Sequence, residues 1–195
     1  MRVCRRARTH GRDALRDQTD LSVQARRPGP DRQTVTGRSS GPLKALEIGK
    51  PGDVIVVDAG GETETSVVGG LMGGLAKNRG IAGMIVDGAG RDIDELRDIG
   101  WPIFTRAITA RGTHTMFSGR REDLSLNVPI VCGGVVVNPG DMVVADEIGI
   151  TVVPKNKLAE VIDRAKEQAD REAATREWVK QGKTVEDLLR EFGRI

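Results

Sequence analysis

Apolar and polar residues alternate in blocks through the middle of the chain, and three successive blocks predict one structural unit. Residues 53–58 (DVIVVD) form an apolar run bounded by aspartates, which is typical of a buried strand. Residues 71–79 follow two glycines and are spaced as a helix, and residues 81–86 form a second apolar run. The order of strand, glycine turn, helix and strand predicts a βαβ unit with parallel strands and a right-handed crossover.

The pattern beyond this unit predicts further α/β structure. An apolar strand follows a short helix, short apolar runs then surround an Asn-Pro-Gly-Asp turn, and apolar residues finally recur on one helical face. The runs around the turn are expected to be antiparallel. The predicted helices are 93–99, 157–180 and 185–192, and the predicted strands are 101–105, 128–137, 142–145 and 150–153.

A candidate site lies where the predicted βαβ unit brings its two ends together. A helix of about nine residues runs about 14 Å and a strand of about six residues returns about 20 Å, so Arg91 and Asp92 should lie beside the helix N-terminus at Gly70. Backbone N–H groups and the helix dipole favour an anion there, and Gly69 and Gly70 would let a ligand approach closely. Arg91 can bind a carboxylate through two donors, and Asp92 offers an oxygen ligand to a divalent cation. The hypothesis is a small oxo-acid beside a metal, and the alternatives are a simple turn and a local ion pair.

The spacing of these residues matches a family motif. The motif is a glycine, twenty residues, Arg-Asp, two residues and an acid, and Gly70, Arg91, Asp92 and Glu95 satisfy it. The flanking segments KALEIGKPGDVIVVDAGG, LAKNRGIAGMIVDGAGRD and NVPIVCGGVVVNPGDMVVADEIGITVVP are similar to the same family. From residue 43 onward the chain resembles the class II pyruvate aldolases for 4-hydroxy-4-methyl-2-oxoglutarate and 4-carboxy-4-hydroxy-2-oxoadipate, together with the related regulator of ribonuclease activity A.

The resemblance implies a fold, a reaction and a set of site residues. The fold would be a swivelling β/β/α domain around the βαβ unit. The reaction would be retro-aldol cleavage of a 4-hydroxy-2-oxo acid to pyruvate and a second oxo-acid, with decarboxylation of oxaloacetate as a side activity. Arg91 and Asp92 would be catalytic: Asp92 would hold Mg²⁺ or Mn²⁺ at the 2-keto oxygen, and Arg91 would orient the carboxylate. The implied substrate-binding residues are Gly70, Leu71, Met72, Gly73 and Arg91.

The resemblance also implies an assembly and leaves some assignments open. Asp94 and Glu95 could bind metal waters in a second shell, and capping of the following helix is the equal alternative. A homotrimer or homohexamer is expected, in which a carboxylate from the neighbour's C-terminal region approaches the metal. The candidates for that carboxylate are Glu167, Glu172 and Glu177. The alternative function is a non-catalytic, protein-binding regulator of ribonuclease activity, and the presence of Asp92 argues against it.

Residues 1–42 differ in composition from the rest of the chain. They hold ten arginines and four aspartates, whereas the whole chain has a formal net charge of +2, so the basic character belongs to this segment. The segment lacks aromatic residues and apolar periodicity, which predicts disorder or a misassigned start; the family's N-terminal pocket residues would then be missing and activity impaired. The predicted division is residues 1–42, an aldolase-like α/β domain at 43–156, and C-terminal helices at 157–195 that pack on the domain or a neighbouring subunit.

Composition argues against several other classes of protein. No apolar run approaches a membrane span, no signal peptide is evident, and two cysteines suggest no disulfide framework, so a cytoplasmic protein is expected. Cys132 lies in an apolar run and should be core. The basic segment lacks aromatic residues for base stacking, so no nucleic-acid partner is expected. The run GGLMGG lacks the spacing of a nucleotide-binding loop.

Four polar residues downstream of the candidate site receive no catalytic role. Arg106 and Arg111 are interpreted as solvated arginines, because long charged side chains usually keep their heads in water. The resemblance implies, as the alternative, that they lie near the mouth of the pocket and the subunit contacts. His114 is a lone histidine in a polar loop, and Ser118 has no paired base nearby in the sequence.

Overall fold

The computed structural model describes residues 3–4, 34–38, 42–112 and 125–193. Its strands are β1 (Val3–Cys4), β2 (Thr34–Arg38), β3 (Val54–Asp58), β4 (Ser66–Val68), β5 (Gly83–Gly90), β6 (Ile103–Ile108), β7 (Ile130–Cys132), β8 (Val135–Val137), β9 (Met142–Asp146) and β10 (Gly149–Val153). Its α-helices are α1 (Pro42–Ile48), α2 (Gly70–Asn78), α3 (Ile93–Asp98), α4 (Leu158–Lys180) and α5 (Val185–Phe192), and a 3₁₀ turn at Lys155–Lys157 precedes α4.

The predicted βαβ unit is present and forms the centre of a parallel sheet. Strand β5 runs parallel to β3, with Ile55 opposite Met84 and Val57 opposite Val86. Strand β6 is also parallel to β5, and β2 is parallel to β3. The C-terminal end of β5, at Ala89 and Gly90, pairs with β4. Because parallel strands all end at one edge, β4 and β5 deliver their following residues to the same place.

The sheet is buried on both faces, which explains the continuous apolar runs of β3 and β5. Ile55 and Val57 belong to a cluster with buried residues of α1, α2 and α3. Val56 and Ile85 belong to a second cluster with buried residues of β7, β8 and β10. Successive side chains of a strand point to opposite faces, so each strand needs apolar residues at every position. The layers are therefore β, β and α, as the resemblance implies.

Glycine lets α2 pack closely on α3. A Cβ atom at Gly73 would overlap the side chain of Leu96 and would lie 3.1 Å from Cε3 of Trp101. Trp101 is buried and its Nε1 donates to the carbonyl of Ile81 over 2.9 Å. The predicted helices around the site are thus observed, and their separation is set by a residue without a side chain.

Residues within the N-terminal segment pair with the sheets, contrary to the expectation of an unstructured tail. Strand β2 forms a parallel ladder along the whole of β3 and covers that edge of β3. Strand β1 pairs antiparallel with β10. The sequence TVTGR of β2 carries β-branched residues, which favour strands, but the arginine-rich composition around it obscured the signal. Helix α1 also begins earlier than the predicted domain boundary, at Pro42.

Strand boundaries differ from the prediction at the site. Strand β5 continues beyond Val86 to Gly90, through residues that the apolar pattern excluded. Its glycines fit where side chains would not: a Cβ atom at Gly88 would lie 2.6 Å from Cβ of Ala59, and one at Gly90 would lie 3.0 Å from Cγ2 of Thr105. Close packing of backbone, rather than apolar periodicity, extends this strand to the candidate site.

Residues Asn156–Ile195 form a compact unit separate from Met1–Lys155. The predicted C-terminal helices are observed as α4 and α5. Helix α5 begins with a capping box between Thr184 and Asp187, and Trp178 meets Phe192 edge to face at a centroid distance of 5.4 Å. In the described part of the chain no helix is both long and apolar enough to cross a membrane.

Candidate functional site

The candidate site forms where β4 and β5 end. Strand β4 leads through Gly69 into α2, and β5 leads through Arg91 and Asp92 into α3. The backbone N–H of Gly70 donates to Oδ2 of Asp92 over 3.1 Å, across 22 residues of sequence. The structure therefore brings the Arg-Asp pair to the N-terminus of α2, where the spacing of the motif predicts it.

Arg91 is held by its backbone and by its neighbour. Its N–H donates to the carbonyl of Val68 over 3.0 Å, and its Nε lies 3.5 Å from Oδ2 of Asp92. Both side chains are about half exposed, at 46% and 43%. A guanidinium beside a carboxylate at an open helix end can bind an anion without being withdrawn into the core.

Asp92 adopts a left-handed backbone conformation, with φ 54° and ψ 42°. Among residues other than glycine this region is uncommon, although aspartate and asparagine are enriched in it. The conformation turns the chain sharply between β5 and α3, and the carbonyl of Asp92 accepts the N–H of Leu96 over 3.0 Å. Unfavourable backbone conformations often occur at functional sites, and this one fixes the direction of the Asp92 carboxylate.

The space above the two glycines is filled by the chain itself. A Cβ atom at Gly69 would lie 2.6 Å from Oδ2 of Asp92, and one at Gly70 would overlap the carboxylate of Glu95. The sequence predicts that these glycines let a ligand approach the backbone closely. In the structure their missing side chains make room for Asp92 and Glu95, so the motif's glycine and its acid are partners in packing.

The first turn of α2 provides two donors that the helix does not use. The first N–H groups of a helix have no intrahelical acceptor. The N–H of Gly70 donates to Asp92, and that of Gly73 donates to the carbonyl of Gly69 over 3.0 Å. Leu71 and Met72 lie between them, so their N–H groups, with the helix dipole, are the donors suited to a carboxylate.

Comparison with known proteins identifies the family of this chain. A family model described as RraA-like, Aldolase/RraA, matches residues 28–152. A protein of Halalkalibacterium halodurans, provisionally named 4-hydroxy-4-methyl-2-oxoglutarate aldolase, is 43% identical over 151 residues, which are 76% of this chain and 70% of the relative. The chain belongs to the RraA-like family. The match begins at residue 28, so our expectation that the resemblance starts at residue 43 was wrong.

The RraA-like family includes relatives with different names. The 4-hydroxy-4-methyl-2-oxoglutarate aldolase of Thermus thermophilus is 38% identical over 112 residues, covering 57% of this chain and 65% of the relative. The structure of Streptomyces coelicolor RraAS2, described as an unusual member of the RNase ES inhibitor RraA protein family, superimposes with a TM-score of 0.65. It is 33% identical and covers 74% of this chain and 76% of that one. Aldolases and ribonuclease inhibitors are thus both named among the relatives.

The residues at the RraA-like site fit a hydrated divalent cation. Within residues 42–112 and 125–193, no group of three or more His, Cys, Asp or Glu side chains could hold a metal. The hydrogen bond and the ion pair of Asp92 both use Oδ2, and its half-exposed carboxylate leaves Oδ1 for a cation. Mg²⁺ keeps several waters and is often bound by only one or two carboxylates, so a single aspartate suits it.

An internal ion pair that sequence analysis missed lies on the neighbouring strands. Asp87 is buried, and its Oδ1 pairs with Nε of Arg106. Its Oδ2 accepts the N–H of Gly133 over 2.7 Å, in the turn between β7 and β8. The interpretation of Arg106 as a solvated arginine is therefore wrong: parallel pairing of β5 with β6 brings it to Asp87, a long-range contact without a local signal.

The other candidate residues lie in several environments. Arg111 is exposed, and Cys132 is buried in the core as predicted. His114 and Ser118 lie outside the described residues. Asp94 is exposed in the first turn of α3, where its charge suits the helix dipole. The three candidate carboxylates of the C-terminal region, Glu167, Glu172 and Glu177, are exposed on α4.

Proposed function

We propose that this protein is a pyruvate-forming aldolase that cleaves 4-hydroxy-2-oxo acids with the help of a divalent cation. Its substrates would be 4-hydroxy-4-methyl-2-oxoglutarate or 4-carboxy-4-hydroxy-2-oxoadipate. The observation that carries the proposal is the contact between Asp92 and Gly70, which joins a potential metal ligand to a helix N-terminus beside Arg91. The aldolase names of relatives at 38% and 43% identity support it.

The reaction places its main demand on stabilising negative charge. The 4-hydroxyl gives its proton to water and becomes the carbonyl of the second oxo-acid as the bond between C3 and C4 breaks. The electron pair of that bond passes to an enolate, which becomes pyruvate when water protonates C3. Arg91 and the N–H groups of Leu71 and Met72 would bind the substrate carboxylate and orient the oxo-acid. Because these donors are already fixed before substrate binds, they need little reorganisation as charge develops.

Asp92 would hold Mg²⁺ or Mn²⁺ through Oδ1. When bound, the cation would supply a Lewis acid for the 2-keto oxygen, which is the atom that gains charge in the enolate. Arg91, at 3.5 Å from the other carboxylate oxygen, would hold the aspartate in the orientation that directs Oδ1 to the cation. Asp94 and Glu95 follow Asp92 in the first turn of α3, and we include in the proposal that they order the waters of the cation.

The same arrangement would also serve decarboxylation of oxaloacetate. Loss of carbon dioxide from oxaloacetate leaves the same pyruvate enolate, so the groups that stabilise one transition state suit the other. We include in the proposal a homotrimer or homohexamer, in which Glu167, Glu172 or Glu177 of a neighbour could approach the cation.

The direct test is release of pyruvate by the purified protein. Each of the two hydroxy-oxo acids would be supplied with Mg²⁺, with Mn²⁺, and with a chelator, and oxaloacetate would be assayed in parallel. The proposal expects pyruvate from at least one hydroxy-oxo acid only when the cation is present. Turnover that persists at full rate in the chelator would contradict the role of the cation, and no turnover of either acid would contradict the activity.

A ribonuclease regulator is the second candidate function. The likeness to Streptomyces coelicolor RraAS2, at 33% identity, favours it. A regulator needs a binding surface but not the charge of Asp92. Inhibition of a purified RNase E-type ribonuclease by the wild type and equally by Asp92→Asn, without pyruvate release from either, would favour this candidate over the aldolase.

A further inference from the structure

The Arg91 side chain lies in a slot, which is the space left open by the missing side chains of Gly69 and Gly112. A Cβ atom at Gly112 would lie 2.7 Å from Nη1 of Arg91 and 3.5 Å from its Cζ. A Cβ atom at Gly69 would lie 2.9 Å from Nε of Arg91 and 3.1 Å from its Cγ. The distances of 2.7 Å and 2.9 Å are shorter than the contacts that real Cβ atoms make. The Arg91 side chain therefore occupies space that exists because both residues lack a side chain.

Backbone pairing with strand β4 fixes the positions of both Gly112 and Arg91. The N–H of Ser66 donates to the carbonyl of Arg111 over 2.7 Å, and Ser66 forms a parallel bridge with Gly112. Ser66 is buried, and its Oγ donates to the carbonyl of Val68 over 2.7 Å. Because Val68 also accepts the N–H of Arg91, the wall at Gly112 and the backbone of Arg91 are fixed to the same three residues.

Backbone conformation does not require glycine at either wall. Gly69 is extended, with φ −149° and ψ −175°, which any residue can adopt. Gly112 is absent from the residues with positive φ. Among the residues that the structure describes, a methyl group at Gly112 would meet only the flexible end of Arg91, so we expect the guanidinium to move while the backbone stays in place.

We propose that Gly112 is a positioning residue of the candidate site, because its bare Cα sets where the Arg91 guanidinium can meet a substrate carboxylate. This inference rests on the proposed aldolase function and adds to it a residue outside the family motif. Gly112 acts through Arg91 and does not itself touch substrate. Neither its type nor its position in the sequence distinguishes it, and only the fold brings it to the arginine.

The test is Gly112→Ala in the full chain, with Gly74→Ala as the matched control. Gly74 lies in α2, and a Cβ atom there would meet nothing within 4 Å. We expect Gly112→Ala to lower kcat/KM about tenfold, mainly through a higher KM, because the displaced guanidinium loses its alignment with the carboxylate. The melting temperature should stay within about 2 °C of the wild type, and Gly74→Ala should match the wild type in activity.

Two further measurements separate positioning from a merely structural effect. The new methyl group of Gly112→Ala would displace Nη1 of Arg91, and lysine has no atom at that position. Adding Gly112→Ala to Arg91→Lys should therefore lower kcat/KM little further. The ¹⁵Nε–¹Hε resonance of Arg91 should shift in Gly112→Ala and stay unchanged in Gly74→Ala. This spectrum needs no substrate.

Each outcome decides the inference. Equal kinetics for Gly112→Ala and the wild type, additive losses with Arg91→Lys, or unfolding of Gly112→Ala would overturn it. If the wild type releases no pyruvate, the proposed function fails, and the Arg91 resonance alone decides the placement. A shift would then support the slot at Gly112, and an unchanged resonance would reject it.

Discussion

The backbone N–H of Gly70 donates a hydrogen bond of 3.1 Å to Oδ2 of Asp92, which ties the start of α2 to the start of α3. The bond orients the carboxylate that the proposed reaction needs. It also satisfies one N–H donor of the first helical turn, so that the N–H groups of Leu71 and Met72 remain for the proposed substrate. The conformation of Asp92 and the packing of Glu95 on Gly70 belong to the same arrangement.

The contact between Gly70 and Glu95 predicts a rescue. Gly70→Ala should destabilise the protein by about 1 kcal/mol or less, because the new methyl group overlaps only the flexible, exposed end of Glu95. Glu95→Ala alone should change stability by about 0.5 kcal/mol or less. The double variant should recover most of the loss, since the second change removes the overlapping group. Urea unfolding of the four proteins measures the coupling, and additive losses would show that the two residues are not in contact.

Replacement of Arg91 by lysine tests whether Arg91 binds the substrate carboxylate through two donors. Lysine keeps the positive charge and loses the planar guanidinium, so kcat/KM should fall by about tenfold or more, which corresponds to about 1.4 kcal/mol of transition-state stabilisation. Steady-state kinetics of pyruvate release provides the measurement, with Arg97→Lys on the exposed face of α3 as control. An unchanged kcat/KM would place the substrate carboxylate elsewhere.

The Asp87 ion pair predicts a loss of stability without a direct loss of chemistry. Asp87→Ala would remove the acceptor of the Gly133 N–H and one partner of the Arg106 guanidinium, so the free energy of unfolding should fall by about 1–3 kcal/mol. Asp98→Ala at the exposed end of α3 is the control and should be nearly neutral. Chemical denaturation measures both, and equal stabilities would mean that Asp87 does not hold the turn between β7 and β8.

The cap of α5 predicts an effect of pH on the C-terminal unit. The Thr184 hydroxyl and backbone N–H donate to Asp187, and with Arg190 and Lys183 nearby they lower the pKa of that carboxyl. A lowered pKa in the folded state stabilises the helix above the ordinary pKa, and this contribution is lost as pH falls through the lowered value. Thr184→Ala should therefore raise the pKa of Asp187, whereas Thr175→Ala on α4 should not. An NMR titration of the Asp187 carboxyl carbon measures the shift, and equal values in both variants would rule out the cap as its cause.

The sequence predicts the centre of the fold because burial on both faces makes β3 and β5 apolar throughout. Periodicity fails for β4, whose three residues are too few to show a pattern. It also fails for the end of β5, where glycines replace apolar side chains. The family motif and the geometry of the βαβ crossover predict the part of the site that Gly70, Arg91 and Asp92 form. Ser66, Gly112 and the pair of Asp87 with Arg106 are long-range relationships, so no local pattern reports them.

The proposed role of Asp92 in metal-dependent release of pyruvate can be tested with the variant Asp92→Asn. Asparagine tolerates the left-handed conformation, and its amide oxygen can still accept the Gly70 N–H, so the change removes mainly the charge that binds a cation. Pyruvate release would be measured for both proteins across a titration of Mg²⁺, with circular dichroism confirming equal folding. If Asp92 has this role, turnover should rise with Mg²⁺ in the wild type and should be about a hundredfold or more lower in Asp92→Asn at every Mg²⁺ concentration. Equal turnover and equal Mg²⁺ dependence in the two proteins would contradict it.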